Sequence, residues 1–117
     1  MPKGDPSTEI EALYAAFNRR DIETVLAHLA PDVHWANGME GGYADGREAV
    51  RAYWTRQFAA IHSRVEPETI ELADDGRVAV QVHQVVHAPD GELLADERVS
   101  HYFTFEEGRI ARFDIGD

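Results

Sequence analysis

The chain contains no cysteine, and this absence excludes several kinds of site. A protein without cysteine has no disulfide framework, no thiolate nucleophile and no thiolate-bound zinc or iron–sulfur centre. The sequence also lacks the run of about 18 apolar residues that a membrane-spanning helix needs, and its first residues are not the apolar stretch of a signal peptide. We therefore expect a cytoplasmic protein whose chemistry depends on histidine, carboxylate, tyrosine or tryptophan side chains.

Positive charge is scarce as well. The sequence has 11 Lys and Arg residues against 22 Asp and Glu residues, for a net charge of −11. Such a surface repels phosphate backbones and anionic lipid head groups, so we expect neither a nucleic-acid nor a membrane partner. The 117 residues, 44% of them hydrophobic, fit one folded domain over 1–117, with residues 1–7 as a flexible arm.

The first half of the chain has helical periodicity. Ile10, Leu13, Tyr14 and Phe17 lie three or four positions apart and predict one apolar helix face. Asp21 is a good N-cap for a second helix. A short strand over 33–37 follows. Asp45 with Glu48 is then a start signal for a third helix, whose apolar stripe runs from Val50 to Ile61.

The second half alternates between apolar and polar residues, which predicts antiparallel strands at roughly 65–73, 77–88, 92–106 and 109–115. The sequence Pro-Asp-Gly at 89–91 is typical of a three-residue hairpin loop that pairs Ala88 with Glu92. Helices followed by an antiparallel sheet predict an α+β fold, with three N-terminal helices packed on a curved sheet that encloses a pocket.

The register of this hairpin predicts which side chains share a face. With Ala88 opposite Glu92, His83 lies opposite Glu97, and His101 is on the same face as both. An imidazole beside a carboxylate is an oriented general base, which indicates acid–base chemistry. On this register Val78, Val80, Val82 and Val86 form an outer face too apolar for water, so we expect a homodimer through them.

The chain resembles the nuclear transport factor 2-like superfamily, in its SnoaL-like and ketosteroid isomerase-like branch. The segments that carry the resemblance are 13–21, 29–35, 46–50 and 103–110. The resemblance implies a cone of three helices and a curved sheet around an apolar cavity. Proteins of this superfamily include isomerases, cyclases and hydrolases as well as non-catalytic binders.

The ketosteroid isomerase pattern transfers poorly to these residues. The position of its general-base carboxylate matches Asn37, which cannot take a proton near neutral pH. The position of its oxyanion-hole tyrosine matches Leu13, since Tyr14 lies one place further and about 100° around the helix. The protonated Asp of that hole corresponds to His101. We therefore do not expect the classical steroid reaction.

We predict a protein that binds a small apolar organic molecule and acts on it by cofactor-free acid–base catalysis, as an isomerase, a cyclase or a hydrolase. The predicted catalytic residues are His83, Glu97, His101 and Asn37. The resemblance implies that Trp35, Tyr53, Val85, Phe103, Phe113 and Ile115 line the cavity, and we predict these residues together with Phe17 and Gln81 as the ligand contacts.

Two alternatives remain open. One is a non-catalytic ligand-binding or protein-interaction module of the same fold, in which the polar residues only orient a ligand. The other is metal-assisted hydrolysis at His83, Glu97 and His101, although we expect no metal and no cofactor.

Overall fold

The computed structural model describes residues 6–36, 42–73 and 76–116. The three helices are α1 (Pro6–Asn18), α2 (Ile22–Ala27) and α3 (Arg47–Ala60). The six strands are β1 (Leu29–Ala36), β2 (Tyr43–Asp45), β3 (His62–Leu72), β4 (Val78–His87), β5 (Leu93–Glu106) and β6 (Arg109–Gly116). This order confirms the predicted α+β fold. Two details differ from the prediction. Helix α1 includes Pro6 and Ser7, which we predicted to lie in the flexible arm, and the short strand β2 was not predicted.

Local sequence signals explain where the shorter helices begin. The Asp21 side chain accepts a hydrogen bond from the Thr24 backbone N–H and so caps α2, as predicted. Helix α3 begins instead after Gly46, whose backbone φ of +90° suits glycine. Asp45, which the sequence suggested as the start of this helix, lies in β2 beside His34.

The strands form one curved sheet in the order β2-β1-β6-β5-β4-β3, and all neighbours are antiparallel except the parallel pair β1 and β6. Two side chains tie the helices to this sheet. Asn18 exchanges hydrogen bonds of 2.8 and 2.9 Å with the Val65 backbone of β3. Arg47 donates from Nε and Nη2 to the Leu29 carbonyl of β1. None of the helices in the described parts of the chain is long and apolar enough to cross a membrane.

The hairpin of β4 and β5 differs from its predicted register by one residue. The loop itself is as predicted, because the Ala88 N–H donates to the Glu92 carbonyl at 2.8 Å and Gly91 has a φ of +95°. A β-bulge then follows: His87 pairs with Leu93 but Val86 pairs with Ala95, so Leu94 is an extra residue in β5. Beyond the bulge every β4 side chain faces the side opposite to the predicted one.

The bulge places the valines of β4 inside the protein. Val78, Val80, Val82 and Val86 are all buried, so the surface predicted for dimerisation is part of the interior. Burying a valine contributes about 1.5–3 kcal/mol, whereas burying a polar side chain without a partner costs about 1–3 kcal/mol. The slipped register is therefore favoured, since the predicted one would expose the valines and bury polar residues such as Gln81. Whether two copies associate stays a prediction.

Candidate functional site

A cavity of about 190 Å³ lies between the helices and the concave face of the sheet. Its lining comes from α1, α2, α3 and five of the strands, and most of it is apolar. The lining residues are Leu13, Tyr14, Phe17, Val25, Trp35, Ala36, Tyr53, Trp54, Ser63, Val65, Gln84, Glu97, Val99, His101, Phe103, Phe113 and Ile115.

Aromatic rings in mutual contact form much of the cavity wall. The Trp35 ring stacks on Phe113 with centroids 4.2 Å apart and meets Trp54 edge-on at 4.9 Å. Phe103 lies 5.1 Å from Phe113, again between ring centroids. Because aromatic pairs hold each other in fixed orientations, this wall is a rigid, flat-sided surface suited to a ring-shaped ligand.

The deepest polar feature of the cavity is a pair formed by Tyr14 of α1 and His101 of β5. The Tyr14 hydroxyl and the Nδ1 atom of His101 are 2.6 Å apart, and the two rings are 13° from parallel. Both residues are buried, with exposures of 5% and 6%. Phe103 and Phe113 also contact the His101 ring, so a hydrogen-bonded polar pair is set into the aromatic wall.

Burial keeps both members of this pair uncharged. It lowers the pKa of His101 from 6.5 to about 4, because the imidazolium cannot be hydrated there. It raises the pKa of the Tyr14 hydroxyl well above its ordinary value, because the phenolate would be equally poorly solvated. At neutral pH the pair is therefore a tyrosine and a neutral imidazole.

The pair retains one hydrogen that no described residue accepts. If Tyr14 donates to Nδ1, the imidazole proton is on Nε2, and that N–H has no partner in the described parts of the chain. If Nδ1–H donates instead, the tyrosine O–H is the donor without an acceptor. In both arrangements a buried donor is left for a group that enters the cavity. Buried polar groups are almost always hydrogen-bonded, so this donor indicates a ligand with an acceptor oxygen.

The mouth of the cavity is polar and more open. Ser63 of β3 and Gln84 of β4 are half-buried, and Glu97 of β5 is exposed. Ile115 borders the same opening and is 41% exposed. The cavity thus has a polar inner end, aromatic walls and a polar mouth.

The structure brings together eight of the residues that the sequence predicted for the site. The cavity is lined by Phe17, Trp35, Tyr53, Glu97, His101, Phe103, Phe113 and Ile115. Their roles toward a ligand stay predictions. Asn37 lies outside the described residues.

Three predicted site residues lie on the opposite face of the sheet, as a consequence of the bulge at Leu94. His83 pairs with Asp96 there, with Nε2 and Oδ1 2.5 Å apart, and not with Glu97. Gln81 accepts a hydrogen bond from the Ser100 hydroxyl at 3.2 Å, and Val85 is also outside the cavity. The predicted His83–Glu97 base is therefore wrong.

The hypothesis of a metal at His83, Glu97 and His101 is wrong for the same reason, since one sheet face carries His83 and the other carries the remaining two. Among the described residues there is no group of three or more His, Asp or Glu side chains that could hold a metal ion.

Three polar residues of the cavity were missed from the sequence: Tyr14, Ser63 and Gln84. Ser63 precedes residue 65, where its strand was predicted to begin. Tyr14 was set aside in favour of Leu13, but both side chains line the cavity. The signal was present: Tyr14 is on the apolar face of α1, where a buried hydroxyl needs a partner. Gln84 was missed because the predicted register turned it outward. It is the one polar member of the alternating valine series in β4, and that interruption marks a cavity position.

Comparison with solved structures shows the same architecture in other proteins. A protein of unknown function from Burkholderia pseudomallei, described as NTF2-like, is 30% identical, with a TM-score of 0.84 and coverage of 97% of this chain and 91% of that one. TerC, co-crystallised with polyporic acid, is 28% identical, with a TM-score of 0.81 and coverage of 95% and 90%. A candidate polyketide cyclase from Xanthomonas campestris pv. campestris is 26% identical, with a TM-score of 0.79 and coverage of 93% and 87%.

No protein with a curated description matches the sequence. The model of the SnoaL-like domain, however, matches residues 10–113, which takes in all or most of each helix and strand that borders the cavity. The resemblance seen in the sequence is thereby confirmed, and the chain belongs to the SnoaL-like domain family, with the NTF2-like fold.

Proposed function

We propose that the protein binds a small, mostly apolar carbonyl compound and polarises its carbonyl by a hydrogen bond from the Tyr14–His101 pair. The observation that carries this proposal is the buried 2.6 Å hydrogen bond between the two side chains, which leaves one donor hydrogen at the inner end of an aromatic cavity. A carbonyl oxygen is an acceptor without a proton of its own, so it satisfies that donor without leaving a second group unpaired.

Polarisation of a carbonyl lowers the barrier to transfer of a proton from the neighbouring carbon to a base such as solvent water, because the resulting enolate oxygen is more basic than the ketone oxygen. A donor held in a dry, preformed site stabilises the enolate more than the ketone. That is the step shared by isomerases and cyclases that work on ketones. The neutral state of His101 suits it as part of a donor pair, whereas a pKa of about 4 makes it a weak general base at pH 7.

The relatives support a ligand of this kind. One of them was crystallised with polyporic acid and another is named as a candidate polyketide cyclase. The cavity of about 190 Å³ is smaller than the roughly 300–1,000 Å³ of pockets for drug-sized ligands, which favours molecules of one or two rings.

A second candidate function is binding without turnover, and the position of the cavity's carboxylate favours it. Among the described lining residues the one carboxylate is Glu97, four residues from His101 along β5, or about 13 Å in an extended strand. A base at that distance does not reach the carbon next to a carbonyl bound at His101.

The test uses α-tetralone, a two-ring ketone, and tetralin, the same skeleton without the oxygen. Calorimetry should show at least about tenfold tighter binding of the ketone to the wild-type protein. The double variant Tyr14→Phe with His101→Leu, which removes both possible donors, should lose most of this preference. Tyr102→Phe is the matched control, because Tyr102 adjoins His101 in sequence but faces the other side of β5. Equal affinities for ketone and hydrocarbon in the wild-type protein would refute the carbonyl site.

Exchange of the α-protons of bound tetralone for deuterium, followed by NMR in D₂O, separates the two functions. Exchange above the solvent rate that is lost in the double variant Tyr14→Phe with His101→Leu identifies enolate chemistry. Tight binding without such exchange identifies a binding protein.

A further inference from the structure

The polar residues at the cavity mouth form a second group of hydrogen-bonding side chains, separate from the Tyr14–His101 pair. Ser63, Gln84 and Glu97, here called the mouth triad, come from the three adjacent strands β3, β4 and β5. Gln84 lies directly opposite Glu97 in the β4–β5 register and opposite Val65 in the β3–β4 register. Since opposed residues share a sheet face, the triad faces the same space as His101.

None of the three side chains has a hydrogen bond or ion pair with any described residue. The carboxylates on the opposite face of the sheet differ in this respect: Asp96 pairs with His83 at 2.5 Å, and Glu68 with Arg98 at 3.0 Å. Glu97 is next to both Asp96 and Arg98 in sequence, yet its side chain is the one that borders the cavity without a partner. Its carboxylate is therefore free to accept a hydrogen bond from a ligand and to repel an anionic one.

The spacing between the two ends of the cavity sets the size of a ligand that reaches both. Glu97 and His101 are about 13 Å apart along β5, and their side chains stand on the same concave face. Hydrogen bonds of about 2.8 Å at each end leave about 7 Å between the two polar atoms of the ligand. Two fused six-membered rings with oxygen atoms at opposite ends have this length, and they match the flat aromatic walls.

We propose that the cavity selects an uncharged hydroxyketone of two-ring size, with its carbonyl at the Tyr14–His101 pair and its hydroxyl donating to Glu97 at the mouth. The hydroxyl also lies within reach of Gln84 and Ser63, which can donate to its oxygen. Carboxylates of the same skeleton are excluded by repulsion from Glu97. This inference rests on the proposed carbonyl site. It adds that the ligand carries a second polar group, that this group lies at the cavity mouth and that it is uncharged.

The experiment compares five probes: tetralin, α-tetralone, and α-tetralones that carry a hydroxyl, a methoxy or a carboxylate group on the ring carbon farthest from the ketone. Affinities are measured by calorimetry for the wild-type protein, Glu97→Gln, Asp96→Asn and the double variant Tyr14→Phe with His101→Leu. Asp96→Asn is the matched control, because it removes the neighbouring carboxylate on the opposite sheet face.

We expect the wild-type protein to bind the hydroxyl compound about tenfold more tightly than the methoxy compound, which has the same oxygen but no hydrogen to donate. The carboxylate compound should bind more weakly than the parent tetralone. Glu97→Gln should reduce both differences, and Asp96→Asn should retain them.

Two results would overturn the inference: equal binding of the hydroxyl and methoxy compounds by the wild-type protein, or a hydroxyl preference that persists in Glu97→Gln. Failure of the carbonyl site is seen separately, as equal binding of tetralone and tetralin or a ketone preference unaffected by the double variant Tyr14→Phe with His101→Leu. A protein that binds none of the five probes contradicts both proposals.

Discussion

At the scale of single residues, burial determines the chemistry of the site. Tyr14 and His101 are residue types that ordinarily carry out proton transfer, but an apolar environment moves their pKa values in opposite directions, away from neutral pH. Their residue types and inward faces could be predicted from the sequence. Their contact could not, because the two are 87 positions apart and meet only once α1 has packed on the sheet.

The buried imidazole makes the stability of the fold depend on pH. The pKa of His101 is about 4 in the folded protein against 6.5 for the ordinary side chain. Stability from the neutral ring is therefore complete above pH 6.5 and is lost as the pH falls toward 4, by about 3 kcal/mol. Urea unfolding should show that the wild-type protein loses about this much more stability than His101→Gln between pH 7 and 4.

His83→Gln is the control for this measurement, since His83 is on the outer sheet face beside Asp96. The His83→Gln variant should therefore lose as much stability between pH 7 and 4 as the wild-type protein does. Parallel stability curves for the wild-type protein and His101→Gln would show that His101 is hydrated or charged in the folded state.

At the scale of helices and strands, hydrophobic periodicity was sufficient to locate nearly every element. One inserted residue in β5 then determines which side chains of β4 face the cavity. The strands predicted at 77–88 and 92–106 correspond to β4 and β5 within one residue at each end. The loop at 89–91 was also correct, but turn chemistry fixes the register only next to the turn. The bulge at Leu94 reverses the faces beyond it, and the valine series in β4 was the stronger guide, since those residues must be buried.

The corrected register predicts which valines of β4 support the core. Val80 is completely buried, so Val80→Ala should lower the free energy of unfolding by about 2 kcal/mol through lost burial and the cavity left behind. Val85→Ala is the matched control, because Val85 is half-buried on the outer face of the same strand. This variant should lower the free energy of unfolding by less than about 1 kcal/mol. Urea unfolding of both variants measures the difference. A larger loss of unfolding free energy in Val85→Ala than in Val80→Ala would support the register without the bulge.

At the scale of the whole molecule, the overall shape was more predictable than the surfaces that face a ligand or a partner. A cone of helices on a sheet follows from the order of the elements and from which faces are apolar. The predicted dimer surface failed because it depended on the one register that the bulge changes. The outer face of the sheet instead carries ion pairs such as Arg98–Glu68 and His83–Asp96, which interact with water as well as with each other.

Net charge is the property of the whole molecule with the clearest consequence. With 22 acidic against 11 basic residues, the charges repel one another across a body of 47 × 28 × 25 Å. At about 0.01 M salt the Debye length of about 30 Å spans the molecule, whereas at about 1 M it is about 3 Å. The melting temperature should therefore rise by several degrees as sodium chloride increases over this range, because salt weakens the repulsion.

A pair of charge reversals tests whether net charge causes this rise. Glu11 of α1 and Glu71 of β3 are both exposed, so replacing each with lysine reduces the net charge without disturbing the core. The double variant, Glu11→Lys with Glu71→Lys, should melt at a higher temperature than the wild-type protein at low salt and respond less to added salt. Exposed ion pairs are also screened by salt but contribute at most about 1 kcal/mol each. A wild-type melting temperature that falls with salt would mean that pairs such as Arg98–Glu68 outweigh the repulsion of the excess carboxylates.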